Sequence, residues 1–272
     1  MRPENILNSG GLLRGIWSYR GFILGSVKRE FQSKYENAVL GIAWAVMTPL
    51  AMIFVYTIIF AQIMHSRLPG VESVFGYSIF LCSGVLSWGM FSEITTRGQT
   101  MFLDNANLIK KNNFPRVCLP IIVVLNATIN FLIIFSLFAG FLVFSGNFPG
   151  WPFFAIFPLL VLQIMFSTGL ALILGTLNVF FRDVGQFFNI FIQFWFWLTP
   201  IVYPVSILPQ KIQSLLVLNP MAQIIGAFQN ILVRSQTPSW IDLLPTFCLS
   251  IILCGSGLIM FRRRAGEMVD EL

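Results

Sequence analysis

A tract of 65 residues, 117–181, contains no charged side chain, and it constrains the fold more than any other feature. One helix needs about 20 mostly apolar residues to cross a bilayer, so this tract is too long for a single crossing. The turn-forming residues Gly-Asn-Phe-Pro-Gly-Trp-Pro at 146–152 divide it into two. Charged residues make up 10% of the chain, against about 25% in soluble domains. This excludes a soluble enzyme, a disordered chain and a secreted disulfide scaffold, and indicates an all-α integral membrane protein.

Apolar tracts predict six spans within a transmembrane domain, 38–262. A further uncharged tract, 212–233, is ambiguous, but Asn219 and Pro220 in its middle disfavour a continuous helix. With six spans and both ends in the cytoplasm, fourteen of the 17 basic residues lie inside, whereas a seventh span leaves twelve there. The positive-inside rule therefore favours six, and makes 201–240 an external or re-entrant segment. The spans are expected near 39–63, 76–97, 119–144, 153–178, 184–200 and 243–261.

Two terminal pieces are expected in the cytoplasm. In the N-terminal piece, 1–37, apolar residues recur at three- and four-residue steps among basic ones. This pattern predicts an amphipathic helix in the inner membrane interface. The helix either only anchors the protein or transmits force to the first span, and the residues leave both interpretations open. The second piece is a short tail, 263–272.

The loop 104–116 differs from a plain tether. Asp104 or Asn105 is expected to cap a short helix there, with Leu108 and Ile109 as its apolar edge and a proline at its end. A short capped helix is suited to docking into a partner protein. From the residues alone, a solvated basic loop is an equally good interpretation.

The chain lacks the residues of an enzyme or a self-powered pump. No glycine is followed by lysine, so the P-loop motif that binds ATP is absent. Proton-coupled transporters place ionisable groups near the midplane, and few are present here. Glu93 and Arg97, four residues apart near the end of a span, are expected to pair with each other. We therefore expect no catalytic residue, metal or cofactor in this chain, and an external source of energy. Nucleic acid is not an expected partner, because most basic residues flank apolar tracts.

Five motifs occur in order along the predicted spans. They are Arg29-Glu30 with Tyr35, Leu40-Gly41, Trp44 and Pro49; Leu108-Ile-Lys-Lys-Asn-Asn-Phe-Pro-Arg116 with Leu119-Pro120; Asn178-Val179 with Arg182-Asp183; Thr199-Pro-Ile-Val-Tyr-Pro204; and Asn219-Pro220. In this order they resemble the membrane subunit of bacterial ABC exporters for polysaccharides. The closest resemblance is to the O-antigen permeases of lipopolysaccharide biogenesis, with capsule and teichoic acid permeases as relatives. It covers residues 25–262.

The resemblance implies a homodimer in the bacterial inner membrane, paired with two copies of a cytoplasmic ATPase that holds ATP and Mg²⁺. It implies export of a polyprenyl-diphosphate-linked glycan. It also implies a coupling helix at 104–116, a second contact with the ATPase, and external helices that close the pathway. The implied coupling residues are Asn107, Leu108, Ile109, Lys110, Lys111, Asn112, Phe114, Arg116, Arg182 and Asp183, and the implied external gate residues are Pro200, Tyr203, Pro204, Asn219 and Pro220.

Aromatic side chains offer flat surfaces to the apolar faces of sugars, and they form 15% of this chain. Some of them recur at three- and four-residue steps in the fifth span, and others belong to the first. We expect parts of these surfaces to line the conduit at the dimer axis, with lipid contact or packing as the alternative. The residues are Trp44, Tyr56, Phe187, Phe191, Phe194 and Trp195.

Other functions remain open at this point. One is an ABC permease for capsule, teichoic acid or a small hydrophobic cargo. Another is a polytopic enzyme acting on polyprenyl lipids, although the chain lacks an acidic cluster for Mg²⁺. A structural scaffold is a third, and would not need a capped helix at 104–116. For helix contacts, the spacing Ala171-x-x-x-Gly175 is a candidate.

Overall fold

The computed structural model describes residues 17–33, 43–59, 73, 75–110 and 116–272, and every regular element in these ranges is helical. The side chains of 44–46, 48, 49 and 270 lie outside the description. The helices are α1 (Arg20–Ser33), α2 (Ala43–Thr57), α3 (Gly76–Asp104), α4 (Ala106–Ile109), α5 (Cys118–Phe144), α6 (Ile156–Phe180), α7 (Asp183–Leu198), α8 (Gln210–Leu216), α9 (Pro220–Arg234), α10 (Trp240–Arg264) and α11 (Glu267–Glu271). Two short 3₁₀ helices, Trp151–Ala155 and Val205–Ile207, precede α6 and α8.

Four helical stretches among the described residues are long and apolar enough to cross a bilayer. They are α3, α5, the continuous stretch Trp151–Phe180 and α10. Helices α2 and α7 have 15 and 16 residues and are shorter than a full crossing. The helical class is confirmed, whereas the exact number of six spans stays a prediction. The neighbours of α2, 34–42 and 60–72, lie outside the described residues.

The ambiguous tract 212–233 is not one straight helix. Helices α8 and α9 meet at an angle of 99°, and α9 begins at Pro220 with Asn219 as its N-cap. Proline has no N–H to donate, so it fits the first turn of a helix and disfavours the interior. The predicted break at this pair is confirmed. If the bent pair is counted as one broken span, the described part of the chain holds five candidate spans.

Helix α6 lies at the centre of the bundle and makes its most extensive contacts with α10 and α3. Small residues allow these backbones to approach closely. A Cβ atom added at Gly175 would lie 2.5 Å from the carbonyl oxygen of Gly98, and one added at Gly98 would lie 2.5 Å from the Cβ of Ala171. The Ala171-x-x-x-Gly175 spacing is therefore a helix contact, and it is made within one chain.

A polar pair joins α3 and α6 inside the bundle. Ser87 donates to Oε1 of Gln163 at 3.0 Å, and Nε2 of Gln163 donates to the carbonyl oxygen of Ser87 at 2.6 Å. Both residues are fully buried. Buried polar groups without a partner are costly in hydrocarbon, so this reciprocal pairing fixes the register of the two helices.

Candidate functional site

The predicted coupling helix, α4, is a single turn, and its residues point in different directions. Ile109 is only 2% exposed, whereas Asn107 and Lys110 are exposed and Leu108 is half-buried. Ile109 therefore anchors the turn to the bundle, and Asn107 with Lys110 forms the outward surface. The other predicted coupling residues of this loop, Lys111, Asn112 and Phe114, lie outside the described residues.

The predicted side-chain cap of this helix is wrong. Asn105 occupies the N-cap position, but its side chain makes no capping hydrogen bond. Instead, Nδ2 of Asn105 donates back to the carbonyl oxygen of Met101 at 2.9 Å, and Oδ2 of Asp104 accepts from the Thr100 hydroxyl at 2.7 Å. Because α3 continues to Asp104, both side chains are engaged by its last turn.

Ile109 belongs to an apolar cluster that we call the loop-side cluster. It joins the ends of α3, α5, α6 and α10 with α4 and α11, so both loops that were predicted to contact the ATPase start from it. Phe102 and Phe261 stack within it, with ring centroids 5.3 Å apart. Its buried members are Met101, Phe102, Ile109, Leu119, Val123, Leu172, Val179, Phe261 and Met268.

The second predicted contact, Arg182 and Asp183, is exposed at the turn from α6 to α7. Asn178 holds this turn against α3. Its Nδ2 donates to the carbonyl oxygen of Gln99 at 2.8 Å, and its Oδ1 accepts from the backbone N–H of Gly185 at 2.9 Å. In the sequence, Asn178 appears only as part of the Asn178-Val179 motif, and its positioning role depends on contacts between helices that no local pattern predicts.

A charged network ties α1 to the bundle. The Arg97 guanidinium contacts the Glu30 carboxylate of α1 and lies 3.3 Å from Oε1 of Glu93. Asn126 of α5 donates to Glu30, and Asn130 donates to Oε1 of Glu93 at 2.7 Å. The predicted pairing of Glu93 with Arg97 is confirmed. The contact with Glu30 was missed because it joins residues far apart in sequence.

A cavity of about 170 Å³ lies beside this network. Glu30 and Arg97 line one part of it, and Thr100, Asp104 and Leu108 line the part nearest α4. Helices α1, α3 and α4 therefore meet around one space.

The start of the segment between α7 and α8 is held inside the protein, whereas 205–207 are exposed. Thr199 and Ile201 are fully buried, and Nε2 of Gln229 on α9 donates to the carbonyl oxygen of Pro200 at 3.3 Å. The Tyr203 hydroxyl donates to the carbonyl oxygen of Trp197 at 2.8 Å. Burial raises the pKa of Tyr203.

Asn219 connects α7, the segment that follows α7, and the start of α9. Its Oδ1 accepts from the N–H groups of Met221 and Ala222 at 3.1 and 3.3 Å, which caps α9. The same atom accepts from Nε1 of Trp195 at 3.0 Å, and Nδ2 donates to the Thr199 hydroxyl at 3.1 Å. Of the five predicted gate residues, Asn219 thus forms the polar centre. Pro220 follows it in the chain, and Pro200 and Tyr203 lie in the segment that begins at its partner Thr199. Pro204, half-buried, is the N-cap of the following 3₁₀ helix.

The predicted aromatic stripe divides into two environments. Phe187, Phe191 and Phe194 are exposed on one side of α7. Trp195 is half-buried, and its ring lies 5.1 Å from that of Phe91 in the core. Two residues of the first predicted span remain: Tyr56 is partly buried against the core, and the side chain of Trp44 is not described.

The family model for ABC-2 type transporters matches residues 23–233, a range that begins within α1, contains α4 and ends one residue before the end of α9. The chain belongs to the ABC-2 type transporter family. The resemblance expected from the motifs is confirmed, because the chain is also similar to curated export permeases. It is 30% identical to the O-antigen export system permease protein RfbA of Myxococcus xanthus over 264 residues, 96% of this chain and 99% of that protein.

Two other relatives of this ABC-2 chain carry related names. It is 30% identical to the O-antigen export system permease protein RfbA of Klebsiella pneumoniae over 237 residues, 86% of this chain and 88% of that protein. It is 21% identical to the polysialic acid transport protein KpsM of Escherichia coli over 244 residues, 89% and 93% of the two chains. The relatives named here are transport proteins, and none of these names denotes an enzyme.

Proposed function

We propose that this chain is the membrane subunit of an ATP-driven exporter that moves a polyprenyl-diphosphate-linked polysaccharide of O-antigen type across the bacterial inner membrane. The observation that carries the proposal is the 30% identity to an O-antigen export permease over 96% of the chain. Similarity along nearly the whole length covers the transmembrane bundle together with its loops. Capsule polysaccharide is the second candidate cargo, supported by the 21% identity to a polysialic acid transport protein.

The energy comes from a separate ATPase in this proposal. The sequence contains no P-loop lysine, since no glycine precedes a lysine. The complex would be a homodimer of this chain with two copies of the ATPase, which binds ATP and Mg²⁺. Contact with the ATPase would be made by the outward surface of α4, at Asn107 and Lys110, and by Arg182 and Asp183.

The proposed topology has six spans with both ends in the cytoplasm. Helices α2 and α7 are the two short spans, and α8 with α9 forms an external re-entrant pair. A bent pair at membrane depth requires that its backbone be satisfied by protein or water. Asn219 supports this arrangement, because it caps α9 and bonds the end of α7. The inner side of α9 is buried, which places it against protein rather than lipid.

Transport would follow from closure of the ATPase dimer against the coupling helix. Movement of α4 would pass through Ile109 to the loop-side cluster, and beside α4 the network of Glu30 and Arg97 would shift α1. Packed helices change between discrete arrangements rather than deform continuously, so such a push would switch the bundle between a closed and an open packing. In the open packing, the exposed aromatic side of α7 would face the sugar chain.

An experiment in cells tests this function. In a deletion strain, lipid-linked glycan should accumulate on the inner leaflet, and the wild-type gene should restore its export. The tagged chain should also co-purify with an ATPase subunit. Export that continues in the deletion strain, or purification of the functional chain without any ATPase, would contradict the proposal.

A further inference from the structure

The segment after α10 is built into the loop-side cluster. Met268 is fully buried although α11, which carries it, has only five residues, and its neighbours Glu267 and Glu271 are exposed. A helix this short is marginal on its own in water. Its position is therefore fixed by the burial of Met268, with Val269 and Leu272 packed partly against the same cluster.

The same segment is tied to the end of the coupling loop. Arg116, the first described residue after 111–115, donates from its guanidinium to the backbone carbonyl of Ala265. Burial lowers the pKa of Arg116, but an arginine remains charged at physiological pH. A charged donor on a backbone carbonyl is stronger than a neutral one. The coupling loop is thus anchored by Ile109 before the undescribed residues and by Arg116 after them.

A third attachment reaches the turn between α6 and α7. Nη1 of Arg264 lies 2.5 Å from Oε2 of Glu267, and the guanidinium carbon of Arg264 lies 5.6 Å from the centre of the Phe180 ring. Phe180 is the last residue of α6, two positions before Arg182. Glu267 of the segment thus pairs with Arg264, the last residue of α10, which contacts the end of α6.

We propose that the segment 265–272 positions the coupling helix and the Arg182–Asp183 turn relative to each other. The positioning residues are Met268, within the segment, and Arg116, which bonds to its first residue. This inference rests on the proposed function, in which the two loops receive the push from the ATPase. Because the two loops are far apart in sequence, only tertiary contacts can keep their spacing constant. Met268 supplies the apolar contact and Arg116 the polar one.

The test measures two quantities for the complete complex: the glycan exported in cells and the ATP hydrolysed by the purified complex. The ratio of the first to the second is the measure of coupling. Met268→Ala and Arg116→Ala should each lower the glycan exported per ATP hydrolysed by about twofold to thirtyfold, the range of effect for residues that lie between two coupled sites. Met268→Leu should restore the ratio, because leucine refills the cluster. Glu271→Ala, on the exposed side of the same helix, should leave it unchanged.

A double variant tests whether the two residues act together. If both hold the same segment, Met268→Ala combined with Arg116→Ala should lose less than the product of the single losses. Should Met268→Ala fail to reach the membrane, Arg116→Ala with Arg116→Lys as its rescue decides. A wild-type ratio in the single variants, or independent effects in the double variant, would overturn the inference.

A reference variant separates this inference from the proposed function. Lys110→Glu reverses the charge of the exposed C-cap residue of α4, which is not a member of the loop-side cluster. If Lys110→Glu lowers the ratio and the Met268 and Arg116 variants do not, only the positioning role fails. If Lys110→Glu also leaves the ratio unchanged, the assignment of α4 as the coupling helix fails.

Discussion

At the scale of single residues, Asn219 shows how one side chain can organise the end of a bundle. It accepts three hydrogen bonds and donates one, and thereby caps α9 and holds α7 and Thr199 in place. The Asn-Pro pair predicted an interruption of the helix from the sequence, because proline disfavours a helix interior. The bond to Trp195 was not predictable, because it depends on how two helices pack.

Replacement of Asn219 by alanine should destabilise the protein. Loss of an N-cap costs about 1 kcal/mol, and the unpaired indole N–H of Trp195 adds a penalty of about 1 kcal/mol or more. The apparent melting temperature of the purified protein in detergent should fall accordingly. Asn219→Ser retains a capping oxygen and should recover part of the loss; equal melting temperatures for the wild type and Asn219→Ala would contradict this account of the site.

At the scale of elements, local and long-range features were predictable to different degrees. The long helices were predicted well because apolar tracts and turn-forming residues are local signals. The helix that carries the second predicted span, 76–97, continues to Asp104 in the structure. The attachment of α1 through Glu30 could not be read from the sequence, because no spacing rule connects residues of separate helices.

The ion pair between Glu30 and Arg97 should matter for the coupling of α1 to the bundle. Glu30→Arg places two cations together and should reduce export, while the double swap Glu30→Arg with Arg97→Glu should recover part of it. Recovery will be partial, because Arg97 also pairs with Glu93. Export per cell at equal expression is the measurement. A double swap no better than the worse single variant would show that the pair does not act as a contact.

The exposed aromatic side of α7 provides a sharp test of the conduit. Phe191→Ala with Phe194→Ala should reduce export while complex assembly stays normal, because both side chains are exposed in the single chain. Phe144→Ala is the matched control, since that ring is 93% exposed on a different helix. Trp195→Ala should instead lower stability, because its ring packs in the core. Normal export by the double variant would assign this surface to lipid or helix contact.

At the scale of the whole molecule, the family was predictable because its motifs lie in order along the chain. In the structure the motifs group at two sites. The 104–116 and 178–183 motifs adjoin the loop-side cluster, and the 199–204 and 219–220 motifs meet around Asn219. The packing of the helices that connect these two sites could not be derived from the sequence. It depends on buried contacts such as Gly98 with Gly175, which appear only after the helices pack.

The central claim is that this chain moves its cargo only when a partner hydrolyses ATP. The most direct measurement reconstitutes the purified chain in lipid vesicles with lipid-linked glycan, with and without the ATPase, and follows the appearance of glycan on the opposite leaflet. We predict glycan transfer only when both the ATPase and ATP are present. Transfer by the chain alone, or transfer with the ATPase that does not depend on ATP, would contradict the account.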